Sequence, residues 1–264
     1  MAFCELKYFS PALQKQTAAN LILPEGKKGP YPVLYLLHGL SDDHTIWHRR
    51  TSIERYVQDL PLIVVMPDNG RGWYTDALEG PASETAIVSD LVNLVDSLFP
   101  TRADRGGRCV AGLSMGGYGA FKLALKHPDK FCAAVSHSGA LGIGHSPLKP
   151  EEVGRSGDDA NLEERRRWLR EMVRIFGEDP VGGPNDLYAL AKQVPQSLRP
   201  ALRFDCGTED FLLDQNRSFH SYLDEIGYPH EYEEFPGGHE WGYWDRHVQE
   251  ALQFFRPLLR LDQA

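Results

Sequence analysis

Long apolar runs are missing from this 264-residue chain. Its apolar stretches all fall short of the roughly 18 residues that cross a bilayer, which argues against a membrane-spanning helix. Residues 1–8, Met-Ala-Phe-Cys-Glu-Leu-Lys-Tyr, hold no basic segment followed by an apolar one, so a secretory leader is not expected. Cysteine is scarce: Cys4, Cys109, Cys132 and Cys206 show no C-x-x-C spacing, which excludes a disulfide framework. All four fall in apolar strand patterns, where a reduced thiol serves as a small apolar side chain. A cytoplasmic chain with free thiols is the expectation. Basic clusters are scarce as well, with a formal net charge of −9. The one basic triplet, Arg165-Arg166-Arg167, sits among Glu163, Glu164 and Glu171 and reads as a solvated helix face. Nucleic acid and anionic membrane surfaces are therefore not expected partners. Repeats, low-complexity segments and inter-domain linkers are absent, so residues 1–264 read as a single domain. Whether it forms a homo-oligomer is left open.

The remaining sequence alternates strand and helix signals. Residues 3–9 and 14–23 alternate polar and apolar, as an antiparallel pair at a sheet edge would. The continuous apolar runs at 33–37 and 62–66 read as strands covered on both faces. Further strands are expected at 108–111, 131–138, 202–206 and 230–235. Helices are expected at 41–57, with Ser41 as N-cap, and at 85–98, 118–126, 215–226 and 241–255. The last places Trp241, Trp244, Val248, Leu252 and Phe255 along one face. Such alternation implies an α/β fold: a mostly parallel sheet, an antiparallel amino-terminal edge, and helices on both faces. Residues 139–200 differ. A polar, glycine-bearing loop precedes two helix signals near 162–176 and 185–194, read as a helical excursion over the active-site side of the sheet.

Between the strand at 108–111 and the helix at 118–126 lies Gly112-Leu113-Ser114-Met115-Gly116. Strand, G-x-S-x-G turn and helix together define a nucleophile elbow. A serine hydroxyl is a weak nucleophile and must project clear of the backbone towards a base and an oxyanion donor. Ser114 is the candidate nucleophile. On this architecture acid and base follow the nucleophile in chain order. Of the ten histidines, His239 stands between the last strand and the last helix, where the base belongs. The acid belongs in the loop after 202–206; Asp210 is the first choice, with Glu209 one residue away as the alternative. Oxyanion donors are expected from the Met115 N–H and from Leu40 in His38-Gly39-Leu40, with His38 in a packed supporting role. Trp47, Trp73, Tyr74, Leu141, Ile143 and Trp241 are candidates for a small apolar substrate slot. Metals find little support. His239-Glu240 opens like H-E-x-x-H, but Tyr243 stands where the second histidine should be. His44 and His48 are spaced i, i+4 but lack a third ligand. No metal or cofactor is expected.

These segments also carry a resemblance. His38-Gly-Leu40, Gly70-Arg-Gly-Trp-Tyr-Thr-Asp76, Gly112-Leu-Ser-Met-Gly-Gly-Tyr-Gly-Ala120, Ser136-His-Ser-Gly-Ala140, Gly207-Thr-Glu-Asp-Phe211 and Gly238-His-Glu-Trp241 occur in order across nearly the whole chain. In these motifs the chain resembles the esterase D family of the α/β-hydrolase superfamily. That family holds S-formylglutathione hydrolases, tributyrin-type carboxylesterases, feruloyl and acetylxylan esterases, and mycolyltransferases. Within it the chain is most similar to intracellular tributyrin-type carboxylesterases. The resemblance implies Ser114, Asp210 and His239 as triad, Leu40 and Met115 as oxyanion donors, and a small short-chain acyl ester as substrate. S-formylglutathione hydrolysis or an acyl or feruloyl esterase is the alternative. An acyltransferase or a non-catalytic binding module is the remoter one. Residues 142–157 carry few of the family's residues.

Overall fold

The computed structural model describes residues 1–149 and 162–263. Residues 150–161, part of the expected excursion, lie outside the described residues.

The amino-terminal strands β1 (Ala2–Ser10) and β2 (Lys15–Leu23) form the antiparallel edge, with Ala2 opposite Leu23 and Ser10 opposite Lys15. β2 pairs antiparallel with β4 (Ile63–Pro67), and from there the sheet is parallel. β3 (Val33–Leu37), β5 (Arg108–Leu113), β6 (Ala133–His137), β7 (Ala201–Gly207) and β8 (His230–Phe235) complete it. The eight strands lie in the order β1-β2-β4-β3-β5-β6-β7-β8. Side chains along a strand point alternately to opposite faces. On β3, Tyr35 and Leu37 accordingly join one apolar cluster and Leu34 and Leu36 the other.

Helices cover both faces. α1 (Ile46–Arg50), α2 (Ile53–Val57) and α9 (Trp241–Leu259) lie on the Leu34 side, where Trp47, Ile53, Val248 and Phe255 pack. The other face takes α3 (Ser83–Thr85), which runs through a π-helical stretch Ala86–Leu91 into α4 (Val92–Leu98). It also takes α5 (Met115–Lys126), α6 (Leu162–Phe176), α7 (Leu187–Gln193) and α8 (Leu213–Glu225). Among the described residues no helix is long and apolar enough to cross a membrane.

Two local expectations are corrected. The helix expected at 41–57 is two short ones, and Ser41 is no N-cap, because its φ of 72° lies in the left-handed region. Asp43 holds the Thr45 N–H in a local turn at 2.9 Å, competing with helix at that point. The helix then breaks at Thr51, which is extended, and the Ser52 N–H donates to Asp245 of α9 at 2.7 Å. The helix expected at 85–98 carries the π-helical stretch that periodicity alone did not reveal.

Candidate active site

β5 ends at Leu113 and α5 starts at Met115, so Ser114 alone makes the turn, with φ 53° and ψ −116°. A non-glycine residue held there costs on the order of 1–3 kcal/mol and persists only when its surroundings over-determine it. They do. The Ser114 N–H donates to the His137 carbonyl at 2.9 Å, and its own carbonyl accepts from Tyr118 and Ala140 N–H at 3.1 and 3.2 Å. Two glycines make this packing feasible. A Cβ on Gly112 would lie 2.4 Å from the Gly116 carbonyl, and one on Gly116 would lie 2.5 Å from the Leu37 oxygen. Strand, helix and the end of β3 meet closer than any side chain would permit.

The serine hydroxyl faces His239, which the loop after β8 delivers. Ser114 Oγ lies 3.0 Å from His239 Nε2, and His239 Nδ1 lies 2.8 Å from Asp210 Oδ2. A carboxylate accepts, so Nδ1 carries the hydrogen and Nε2 presents its lone pair to the hydroxyl. The other Asp210 oxygen accepts the Leu212 N–H at 2.8 Å. Burial pushes the Asp210 carboxyl pKa up, but the bonds from His239 and Leu212 outweigh it and hold it below the ordinary value. The Asp210 side chain is fully covered, whereas that of His239 is 19 % exposed, so the far end of the relay opens to solvent. Glu209 turns the other way. It is exposed, and its carboxylate accepts from the Thr208 hydroxyl and the Gly237 N–H. Asp210, not Glu209, meets the histidine.

The loop after β3 lies against the same serine. A Cβ on Gly39 would stand 3.7 Å from Ser114 Cβ, and Leu40 beside it is half-buried. Met115 opens α5, where the first N–H groups of a helix lack intrahelical acceptors. His38 fixes the loop from beneath. Its Nδ1–H donates to the Gly39 carbonyl at 2.8 Å, and Nε2 accepts the Asn69 N–H at 3.0 Å. Burial pushes its pKa down, which keeps the ring neutral and able to accept that bond.

The six candidates for the apolar slot separate into two groups. Trp47 and Tyr74 are buried, the first donating its indole N–H to the Leu37 carbonyl at 2.9 Å, the second its hydroxyl to the His38 carbonyl at 3.0 Å. Leu141 is buried, and Trp73 packs edge-on against Tyr118 and Phe176. As placed, these four offer a ligand almost no surface. Ile143 and Trp241 are half-buried, and Trp241 packs edge-on against Trp47. Sequence reasoning missed Phe211. Its ring is 77 % exposed and lies 4.6 Å from the His239 ring. An aromatic directly after Asp210, in a polar loop, was the available signal. A cavity of about 380 Å³ lies elsewhere, lined among others by Leu13, Lys15, Arg71, Ala77 and Ile175, and reached by none of Ser114, Asp210 or His239. His48, one of the two i, i+4 histidines, stacks on Phe3 and faces Glu54 at 3.4 Å.

A strained serine hydrogen-bonded to a histidine–aspartate pair is the arrangement of serine hydrolases. Comparison with known proteins agrees. The model of the family described as "Putative esterase" matches residues 10–255. The chain belongs to that esterase family. This esterase is 28% identical to an acetyl esterase of Caldicellulosiruptor saccharolyticus, over 96% of its own length and 98% of the relative's. Among solved structures it is similar to the fluorophosphonate-binding serine hydrolase FphF of Staphylococcus aureus, at 31% identity, TM-score 0.79 and 98% coverage of both chains. It is likewise similar to the S-formylglutathione hydrolase FrmB of Staphylococcus aureus, at 31% identity, TM-score 0.75 and 98% coverage of both chains. The esterase thus has the α/β-hydrolase fold and is an enzyme of the serine-hydrolase type acting on carboxylic ester bonds.

Proposed function

We propose that the esterase hydrolyses short-chain acyl esters through an acyl-enzyme in which Ser114, His239 and Asp210 act as a catalytic triad. The observation that carries this reading is the continuous relay from Asp210 through His239 to Ser114, at 2.8 and 3.0 Å. His239 Nε2 takes the hydroxyl proton as Oγ attacks the ester carbonyl, and the Leu40 and Met115 N–H groups receive the developing oxyanion. His239 then gives the proton to the leaving alcohol. Water repeats the attack on the acyl-serine, its proton passes to His239 and returns to Ser114, and the acid departs. Asp210 remains a carboxylate throughout and stabilises the imidazolium.

With Trp47, Trp73, Tyr74 and Leu141 packed into the core, the short-acyl reading is supported by the acetyl esterase relative and not by a slot that these side chains wall. Phe211, Ile143 and Trp241 are left to contact substrate. We read the section 139–200 as part of the same single domain, and the free cysteines as fitting a cytoplasmic setting. Within the family, the esterase D group of tributyrin-type enzymes remains the assignment these features favour. A p-nitrophenyl ester series tests the reading. kcat/KM peaks at acetyl to butyryl and falls by octanoyl, because overpacking a closed slot costs about 1–3 kcal/mol against roughly 0.8 kcal/mol per buried methylene. A rise continuing to dodecanoyl refutes the short-chain assignment. A thioester measured beside the matching oxygen ester separates this reading from S-formylglutathione hydrolysis, the activity named for the staphylococcal relative.

A further inference from the structure

A second cluster of chemistry-bearing side chains stands at the opposite end of the sheet. His230 opens β8, the last strand in the sheet order, whereas His239 follows the other end of that strand. The strand between them, His230–Phe235, is roughly 17 Å long. His220 and Asp224, one turn apart on α8, converge on His230, and the potential ligand atoms of the three lie within 4.8 Å of one another. We propose that His220, Asp224 and His230 form a site for one divalent transition-metal ion of the zinc class.

The hydrogen bonding leads there. His230 Nδ1 lies 2.7 Å from the Tyr228 carbonyl, which can only accept, so Nδ1 carries the hydrogen and Nε2 offers a lone pair. That lone pair points at His220 Nδ1, 2.7 Å away, while Asp224 oxygens stand 3.6 Å from His220 Nε2 and 4.0 Å from His230 Nε2. At 2.7 Å one of the two facing ring nitrogens must donate, so in the metal-free protein the Nδ1–H of His220 donates to His230 Nε2. A metal ion held by His230 Nε2, His220 Nδ1 and an Asp224 oxygen replaces that single hydrogen bond with three bonds, the Nδ1 hydrogen leaving to solvent or moving to Nε2.

The site is also held in advance of binding. His230 stacks on Phe204 and His220 on Tyr232, so both rings are fixed by packing. The Tyr228 carbonyl behind His230 is the outer partner that metal-bound imidazoles use to fix tautomer and orientation. Two imidazoles and a carboxylate with a fourth position open to water suit zinc, and suit nickel or copper by ligand type. Tetrahedral bonds near 2.05 Å place two ligand nitrogens about 3.3 Å apart, so His220 has only to swing outward by a fraction of an ångström. Asp224 is two-thirds exposed, which gives the ion an entry path. Bound there, the ion ties α8 to the edge strand and takes no part in ester hydrolysis.

Zinc chloride titrated into EDTA-stripped, dialysed protein at pH 7.5, followed by calorimetry and by the thermal midpoint, tests the site. The expected result is one equivalent bound per chain with a rise in Tm. Affinity falls at least about tenfold in His220→Ala and in Asp224→Asn, as loss of a ligand should produce. Both side chains are partly exposed, so these variants keep the fold, and their turnover of p-nitrophenyl acetate matches the parent with or without EDTA. A parent that binds no zinc overturns the proposal. So does a variant that binds as tightly as the parent, or zinc binding that disappears in His239→Ala instead.

Discussion

Two histidine–aspartate pairs in this molecule share the same 2.8 Å contact between Nδ1 and Oδ2, and their surroundings are opposite. His137 and Asp205 lie opposite each other on β6 and β7, with side chains fully covered. The second Asp205 oxygen accepts the Tyr243 hydroxyl at 3.0 Å, and His137 Nε2 meets no hydrogen-bond partner among the described residues. His239 and Asp210 stand on loops beyond β8 and β7, and their relay ends on a strained, half-buried serine. An imidazole–carboxylate distance therefore does not identify a proton relay. What distinguishes the two is the third partner and access to solvent. The buried pair has its own link to the serine, because the main-chain carbonyl of His137 receives the Ser114 N–H. One pair meets the serine hydroxyl; the other sits at the strand end whose carbonyl holds the serine backbone.

The largest effect that separates them is Ser114→Ala, which should lower kcat by about 10⁶ with the fold intact, since nucleophile and base act as a unit. Far-ultraviolet circular dichroism beside p-nitrophenyl acetate turnover checks it, and turnover within tenfold of the parent breaks the account. Asp210→Asn should lower kcat by about 10⁴, because the amide favours the wrong imidazole tautomer. Asp205→Asn is its counterpart. It should remove about 3 kcal/mol of stability or more by breaking a buried pair, while kcat of the folded fraction stays within about tenfold of the parent. Urea unfolding and activity on the same samples tell chemistry from stability; comparable kcat losses in both variants would erase the distinction.

A third buried carboxylate extends the contrast on the stability side. Glu84 is buried against Lys122 at 2.6 Å, His127 at 2.7 Å and Lys126 at 2.9 Å. Burial raises its pKa, but the bond to His127 and the two lysines outweigh that and hold it well below the ordinary value. A folded pKa below the unfolded one adds stability that is fully present above the unfolded value, near 4.3, and lost as pH falls towards the folded value. Glu84→Gln should therefore cost about 3 kcal/mol at pH 7, with the gap to the parent narrowing below about pH 4. A gap independent of pH contradicts this reading. The smallest effect expected is at Phe211. Removing its exposed ring should raise KM roughly three- to tenfold with kcat little changed, in keeping with about 1 kcal/mol for one aromatic contact.

Much of the site was legible because chain order constrains it. Once Gly112-Leu-Ser-Met-Gly116 follows a strand, the acid must come from the loop after β7 and the base from the loop after β8, and each loop holds few residues able to serve. The strands were legible for a similar reason, since β3 and β4 are apolar on both faces and β1 is half-exposed. What escaped depended on distant partners. The break at Thr51 and Ser52 is supported by Asp245, which is 193 residues away in the chain. Trp47 and Tyr74 read as slot walls because apolar surface looks the same whether it faces a ligand or the core. Only the carbonyls of Leu37 and His38, which satisfy their polar atoms, place them in the core. Phe211 is the reverse case, an apolar ring that the fold leaves in water.

Ser114 is proposed to carry the hydroxyl that the His239–Asp210 pair activates. Reaction with a fluorophosphonate, followed by peptide mass mapping, tests it most directly. The predicted result is a single adduct on the peptide containing Ser114, formed at the parent rate in Asp205→Asn and at least about 10³-fold more slowly in His239→Ala. An adduct on another residue, or parent-rate labelling in His239→Ala, would contradict it.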